Sequence, residues 1–265
     1  MPVKPAHSYL RQVLPALNDA ADRFVALLSS APDTTVQVPA CPGWTVRDLA
    51  AHLADTTVQY GRAAWTPADA TAAGPGTEQL TAEGAAAAEE LAARLHPELA
   101  ALRALIDTQD GQIPEFRYHD GPLVPADAGF GILLGELVVH GHGLASALGR
   151  PWPVDPGHAA LIVEGLGPIL PAEVRPDRAK GLTASFEIRL RGFASHIWAF
   201  QDGQLHVNPP HPSKIDVHLS ADPAALLLVM YGRESQWKHI PTGRLAAWGR
   251  KPWLAFTLGS RFRKP

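Results

Sequence analysis

Within five residues the segment Cys41-Pro42-Gly43-Trp44-Thr45-Val46-Arg47-Asp48-Leu49-Ala50-Ala51-His52-Leu53 changes from turn chemistry to helix chemistry. Pro42-Gly43 is a turn dipeptide, Thr45 is a good N-cap, and Asp48 three residues later completes a variant capping box. Leu49, His52, Leu53, Thr56 and Tyr60 then recur at three-and-four spacing, so a helix with an inward-facing histidine is predicted.

The flanks repeat the helical period. His7 to Ser30 carries Leu10, Val13, Leu14, Leu17, Ala21, Phe24, Val25 and Leu28 on one stripe, against the single contrary signal of Pro15. A third helical region is expected over Glu78 to Asp107, restarting near Pro97 and including the Gly84-Ala85-Ala86-Ala87-Ala88-Glu89-Glu90 run. A fourth is expected over Ala126 to Leu148 and a shorter one over Pro156 to Leu170. Long amphipathic helices joined by loops make a bundle, and bundle interiors are a usual place for metal sites. In the fourth helix Glu136 and His140 stand one turn apart on one face, and His52 is available from across the bundle. Spacing alone leaves two readings open, a hydrogen-bonded Glu–His pair or two ligands of one ion. Leu133, Leu134, Leu137, Val138 and Val139 predict a buried helix, where a carboxylate needs compensation.

The second half has another texture. Pro168 to Pro176 reads as a helix end and linker, which places a domain boundary between 174 and 175. Beyond it Thr183 to Arg191 alternates with period two, His196 to Phe200 follows a break at Gly192, and Asp202-Gly203 turns the chain into Gln204 to Val207 as a hairpin. Ile215 to Leu219 reads as another strand. A helix capped by Ser220 or Asp222 and opened by Pro223 follows, and Trp248 to Phe256 is expected to close the chain as a turn and short helix. Residues 1–174 are therefore expected to form a helical bundle and 175–265 a small α+β domain, an α+β two-domain fold class.

Charge divides at the same place. Residues 1–174 carry 9 Lys/Arg and 20 Asp/Glu, whereas 175–265 carry 14 and 6, so the net charge of -3 hides an acidic half and a basic half. That balance argues against a nucleic-acid partner, since the acidic bundle would repel phosphate. One cysteine rules out an internal disulfide framework and a Cys-rich zinc module, leaving 12 histidines as metal or proton-transfer candidates. Met1 to His7 holds no apolar core of a secretory leader, and no stretch approaches the roughly 20 apolar residues of a bilayer span. No membrane partner and a cytoplasmic location are the expectations.

Pro39 to Leu53, Glu136-x-x-x-His140, and Leu144-Ala145-x-Ala147-Leu148-Gly149-Arg150-Pro151-Trp152 together resemble the mycothiol-dependent maleylpyruvate isomerase family. The resemblance covers most of the chain. It implies a DinB-like four-helix bundle followed by a sterol-carrier-protein-like domain, with His52, Glu136 and His140 as ligands of a Zn2+ ion or another divalent metal and mycothiol as cosubstrate. It further implies an enzyme, an isomerase or S-transferase, in which a metal-bound thiolate adds to a small electrophilic or anionic substrate. One departure stands out: many relatives read Gly-x-Asp-Leu-Ala after the metal-site histidine, and this chain reads Gly141-His142-Gly143-Leu144-Ala145, without the acid.

Other residues are weighed beside these. His142 lies two residues from His140, about 200° around the helix, and is read as structural. Cys41 sits before a helix N-terminus, where a thiolate is favoured, yet no paired histidine is visible in the sequence and it reads as a turn residue. Arg233, Arg244 or Arg250 is expected to face the bundle and receive a substrate carboxylate. The alternative functions are a non-catalytic small-molecule or lipid-binding protein with a structural metal site, closed by His7, His96 or His119, and a metal-dependent hydrolase.

Overall fold

The computed structural model describes residues 6–63, 115–118, 122–212 and 214–263. The chain forms two compact units, Met1–Val154 and Asp155–Pro265.

In the first unit α1 spans Ala6–Ser29, α2 Val46–Ala63 and α3 Ala126–Ala147, with a short antiparallel pair, β1 (Glu115–Arg117) and β2 (Leu123–Pro125), leading into α3. The expected helical region 78–107 lies outside the described residues. Val13, Leu17, Ala20 and Phe24 of α1 and Leu49 and Leu53 of α2 are fully buried, and both helices pack on α3. Pro15 sits within α1 on its exposed side, where the missing N–H interrupts the ladder away from the core. α3 is apolar nearly all round, the signature of a central helix. By length and composition α3 would suffice to cross a bilayer, contrary to the expectation that no stretch would, and it is mostly buried inside the unit as a core helix.

The capping box forms as expected. Asp48 Oδ2 accepts from Thr45 N at 2.8 Å and from its hydroxyl at 2.7 Å, while Asp48 N donates back to Thr45 Oγ1 at 3.3 Å. The preceding turn closes through Trp44 N donating to Cys41 O at 3.0 Å, with Gly43 at φ +86°, a conformation that costs glycine nothing.

The second unit opens with α4 (Pro156–Leu166), whose N-cap Asp155 accepts from Gly157 N and His158 N. After a single turn, α5 (Pro176–Ala179), comes a five-stranded sheet of β3 (Ala184–Leu190), β4 (Ser195–Gln201), β5 (Gln204–Val207), β6 (Val217–Ala221) and β7 (Leu245–Gly249). Its order is β5-β4-β3-β6-β7, antiparallel except for the β3–β6 pair. The β4–β5 turn places Asp202 at φ +47° and Gly203 at +84°, the hairpin geometry predicted from that dipeptide. Phe186, Ile188, Trp198, Phe200 and Val217 point to the buried face. α6 (Pro223–Met230), capped by Asp222 accepting from Ala225 N, packs against α4. The chain ends through α7 (Gln236–His239), β7, a 3-10 turn (Pro252–Leu254), α8 (Ala255–Leu258) and a second 3-10 turn.

Three expectations are corrected here. α4 belongs to the second unit, because its apolar stripe is covered by α6, so the division falls after 154 rather than 174. Pro168–Pro176 is no exposed linker: Ile169, Leu170 and Val174 are buried, and Val174 bridges to Phe262. Trp248-Gly249, expected in a closing turn, ends strand β7, which pairs antiparallel with β6 from Leu245 onward.

Candidate metal centre

α3 presents Glu136 and His140 one turn apart, and α2 presents His52 to the same point. Glu136 Oε2 lies 3.1 Å from His140 Nε2 and 3.4 Å from His52 Nε2. One donor atom from each residue falls within 4.8 Å of the other two, the one such group among the described residues. Tetrahedral zinc with bonds near 2.0–2.1 Å separates its ligand atoms by roughly 3.3 Å, so the two shorter separations already match the edges of a coordination tetrahedron. Two imidazoles and a carboxylate suit zinc and leave a fourth position for an outside ligand. The residues fit the ion.

The electrostatics agree with a site built for charge. Burial opposes ionisation of Glu136, but hydrogen bonds from His140 and His52 outweigh it and bring the carboxyl down to about 2. Burial likewise opposes a charged His140, yet hydrogen bonding to Cys41 and Glu136, with the charge of Glu136, lifts it to about 9. Without an ion, the carboxylate and imidazolium hold one another in place.

Two residues around the triad were not assigned to it from the sequence. The indole of Trp44 lies 4.9 Å from the His52 ring and stacks over His140 at 6.3 Å and 15°. Cys41 Sγ is 3.7 Å from His140 Nδ1, so the histidine that no sequence spacing could pair with this cysteine comes from 99 residues away. Both follow from the turn that precedes α2. Its Cys-Pro-Gly-Trp composition announced the turn, and only the packing of that turn on α3 reveals the contact.

Glycines on α3 set how closely its neighbours approach. A Cβ on Gly141 would stand 2.2 Å from Trp152 Cζ2, so the indole occupies the notch of the missing side chain, with its Nε1–H donating to Val138 O at 3.1 Å. A Cβ on Gly143 would meet Ala40 Cβ at 3.4 Å and Val38 Cγ1 at 3.5 Å. Gly143 is thus part of a buried wall facing the 38–40 loop. His142 is half-buried on α3 and is not part of the triad.

The three arginines lie in the second unit. Arg244 pairs with Asp222 Oδ1 at 2.8 Å, Arg250 lies 3.6 Å from Asp216 Oδ1, and Arg233 follows α6 with its backbone N–H bonded to Leu228 O. His96, His119 and the side chain of His7 lie outside the described residues.

Comparison with known proteins agrees with this construction. Residues 14–145 match the mycothiol maleylpyruvate isomerase N-terminal domain, and residues 168–249 match the SCP-2 sterol transfer family. Among solved structures, a mycothiol-dependent maleylpyruvate isomerase superposes with TM-score 0.53 at 17% identity, covering 88% of this chain and 93% of that one. A histidine-to-alanine mutant of a mycothiol-dependent maleylpyruvate isomerase superposes with TM-score 0.54 at 16% identity, covering 92% and 95%. These likenesses concern the fold. No curated protein sequence matches the chain. With a helical first unit that matches the isomerase N-terminal domain and a sheet-bearing second unit that matches SCP-2, the chain belongs to the mycothiol-dependent maleylpyruvate isomerase family.

Proposed function

We propose that this chain is a metal- and thiol-dependent isomerase acting on a small electrophilic acid, with zinc as the ion and mycothiol as the thiol. The observation that carries the reading is the convergence of His52, Glu136 and His140 on one point, in a fold shared with a mycothiol-dependent maleylpyruvate isomerase. A divalent cation held there supplies the positive charge that favours an incoming thiol as thiolate.

The chain's own residues set the conditions for that chemistry. Glu136 contributes one negative charge and two neutral imidazoles contribute none, so a 2+ ion keeps a formal +1 toward an anion. Trp44 lies against both imidazoles. The thiolate sulfur adds to the β-carbon of a conjugated double bond, and the π electrons move onto the carbonyl oxygen. The former double bond is now single and rotates. Return of the electrons re-forms the double bond as the carbon–sulfur bond breaks and the thiolate leaves. If instead a proton is captured at carbon, the sulfur stays, and the outcome is S-transfer. The SCP-2 match favours one other reading, a small-molecule carrier whose metal is structural.

The test is metal analysis of the wild type and His52→Ala, together with maleylpyruvate turnover with and without mycothiol and mass spectrometry for thiol adducts. About one zinc per wild-type chain, its loss in the variant, and thiol-dependent turnover are expected. Full zinc in His52→Ala would overturn the ligand set, and zinc without any thiol reactivity would favour the carrier.

A further inference from the structure

We propose that Cys41 is a positioning residue for His140: its sulfur accepts the Nδ1–H of the imidazole and turns Nε2 toward the point shared with Glu136 and His52. The inference rests on the metal reading of the triad and adds a residue to it.

The two nitrogens of His140 face different partners. Nε2 stands 3.1 Å from Glu136 Oε2, and Nδ1 stands 3.7 Å from Cys41 Sγ, a normal length for a bond to the larger sulfur atom. A histidine that gives Nε2 to a metal keeps its proton on Nδ1 and needs an acceptor there to fix tautomer and ring angle. Cys41 is not in the group of donors that share a centre among the described residues, so in this geometry it acts beside the site rather than as a fourth ligand.

The placement of the sulfur is fixed by backbone. Cys41 N donates to Val38 O at 2.9 Å, Trp44 N donates to Cys41 O, and Gly43 closes the turn with positive φ. The same turn lays Trp44 across the face of His140. Gly143, one turn beyond His140 on α3, leaves room for Ala40 beside it. One loop therefore holds both the edge and the face of a single imidazole.

Sulfur in this role has a chemical consequence. The usual outer partner of a metal-bound histidine is a carboxylate or carbonyl, which raises the basicity of the ligand nitrogen. As a thiol, sulfur is a weaker acceptor than either, and less electron density then reaches the ion, which leaves the site more electrophilic toward an incoming thiol.

The test measures zinc affinity of the full chain by chelator competition for wild type, Cys41→Ala and Cys41→Ser, with helical circular dichroism to verify folding. Cys41→Ala is expected to weaken zinc by about 10- to 100-fold, the scale of lost outer-shell partners, and Cys41→Ser to recover part of it. Alanine and wild type within twofold of each other would overturn the inference. Two measurements on folded wild type keep it exposed if the variants misfold. Cobalt-loaded wild type is expected to lack a thiolate-to-cobalt charge-transfer band, and long-range proton–nitrogen spectra of the zinc form are expected to show His140 bound through Nε2. A charge-transfer band, or binding through Nδ1, would overturn it. A wild type that holds no zinc would remove the metal reading and this inference together, whereas zinc-loaded wild type with unchanged alanine variants would remove this inference alone.

Discussion

Two glycines on one helix, two residues apart, are expected to answer the same substitution in opposite senses. Replacing glycine by alanine in a helix interior gains about 1 kcal/mol of backbone entropy. At Gly143 the new methyl meets Ala40 and Val38 at ordinary van der Waals distance, so Gly143→Ala keeps most of that gain and is expected to stabilise by about 0.5–1 kcal/mol. At Gly141 the methyl falls 2.2 Å, 2.6 Å and 2.8 Å from three atoms of the Trp152 indole. That ring is rigid and held from two sides, by its bond to Val138 O and by the Arg23 guanidinium 4.5 Å above its face. Displacing it forfeits about 1 kcal/mol of hydrogen bond and about 0.5–1 kcal/mol of cation–π attraction, besides packing. With packing added, these losses fall in the upper half of the usual overpacking range, about 2–3 kcal/mol, so after the entropy gain of about 1 kcal/mol Gly141→Ala is expected to destabilise by about 1–2 kcal/mol. Urea unfolding followed by the helical circular dichroism signal measures both. The decisive comparison is Gly141→Ala in a Trp152→Ala background, where the substitution is expected to turn neutral or stabilising. Equal shifts from both alanines, or an effect of Gly141→Ala unchanged by removal of the indole, would refute the reasoning.

Three further outcomes are expected. For metal-free protein, the Glu136–His140 pair contributes stability that is complete between about pH 4.5 and 6.5; it is lost as pH falls toward 2, where the carboxylate takes a proton, and as pH rises through about 9, where the imidazolium loses one. The upper limb, to which the Cys41 contact with His140 also contributes, is read from urea midpoints against pH; a flat profile between pH 6.5 and 9 that Glu136→Gln leaves unchanged would contradict it. Thr45→Ala removes a cap and one partner of Asp48 and should cost about 1 kcal/mol in the same assay, with Asp48→Ala non-additive to it. Charge reversal of Arg233, Arg244 and Arg250 in turn, with KM as readout, tests the expected carboxylate contact; unchanged KM in all three removes it. The partners Asp222 and Asp216 make a stability control necessary for the latter two.

Much of the site could be read locally because its parts are local. Thr45 and Asp48 declare the start of α2 by spacing, the apolar run around Glu136 declares a buried helix, and the four-residue step from Glu136 to His140 places both on one face. Joining His52 to that pair required the family resemblance, since no spacing links residues 84 apart on different helices. Cys41 and Trp44 were named only as turn residues because their second role depends on how the turn lies on α3. The boundary moved for a similar reason: α4 carries a helical stripe that fits either unit, and only α6, more than fifty residues later, decides which. Strand β7 escaped notice because Ala246 and Ala247 give little alternation and Gly249 reads as a breaker, whereas its pairing with β6 supplies what propensity lacks.

The parallel pairing of β3 with β6 has a consequence for the order of assembly. β3, β4 and β5 are consecutive hairpin partners and can zip together as soon as residue 207 is available. The strand that closes the other side of β3 begins only at Val217. Until it docks, the central and most buried strand of the sheet presents a bare row of N–H and C=O groups, the template on which foreign chains add themselves. A nascent chain stalled between these two points would hold a formed meander with an adhesive rim. Chaperone dependence and early aggregation of this protein should therefore map to that narrow interval of synthesis.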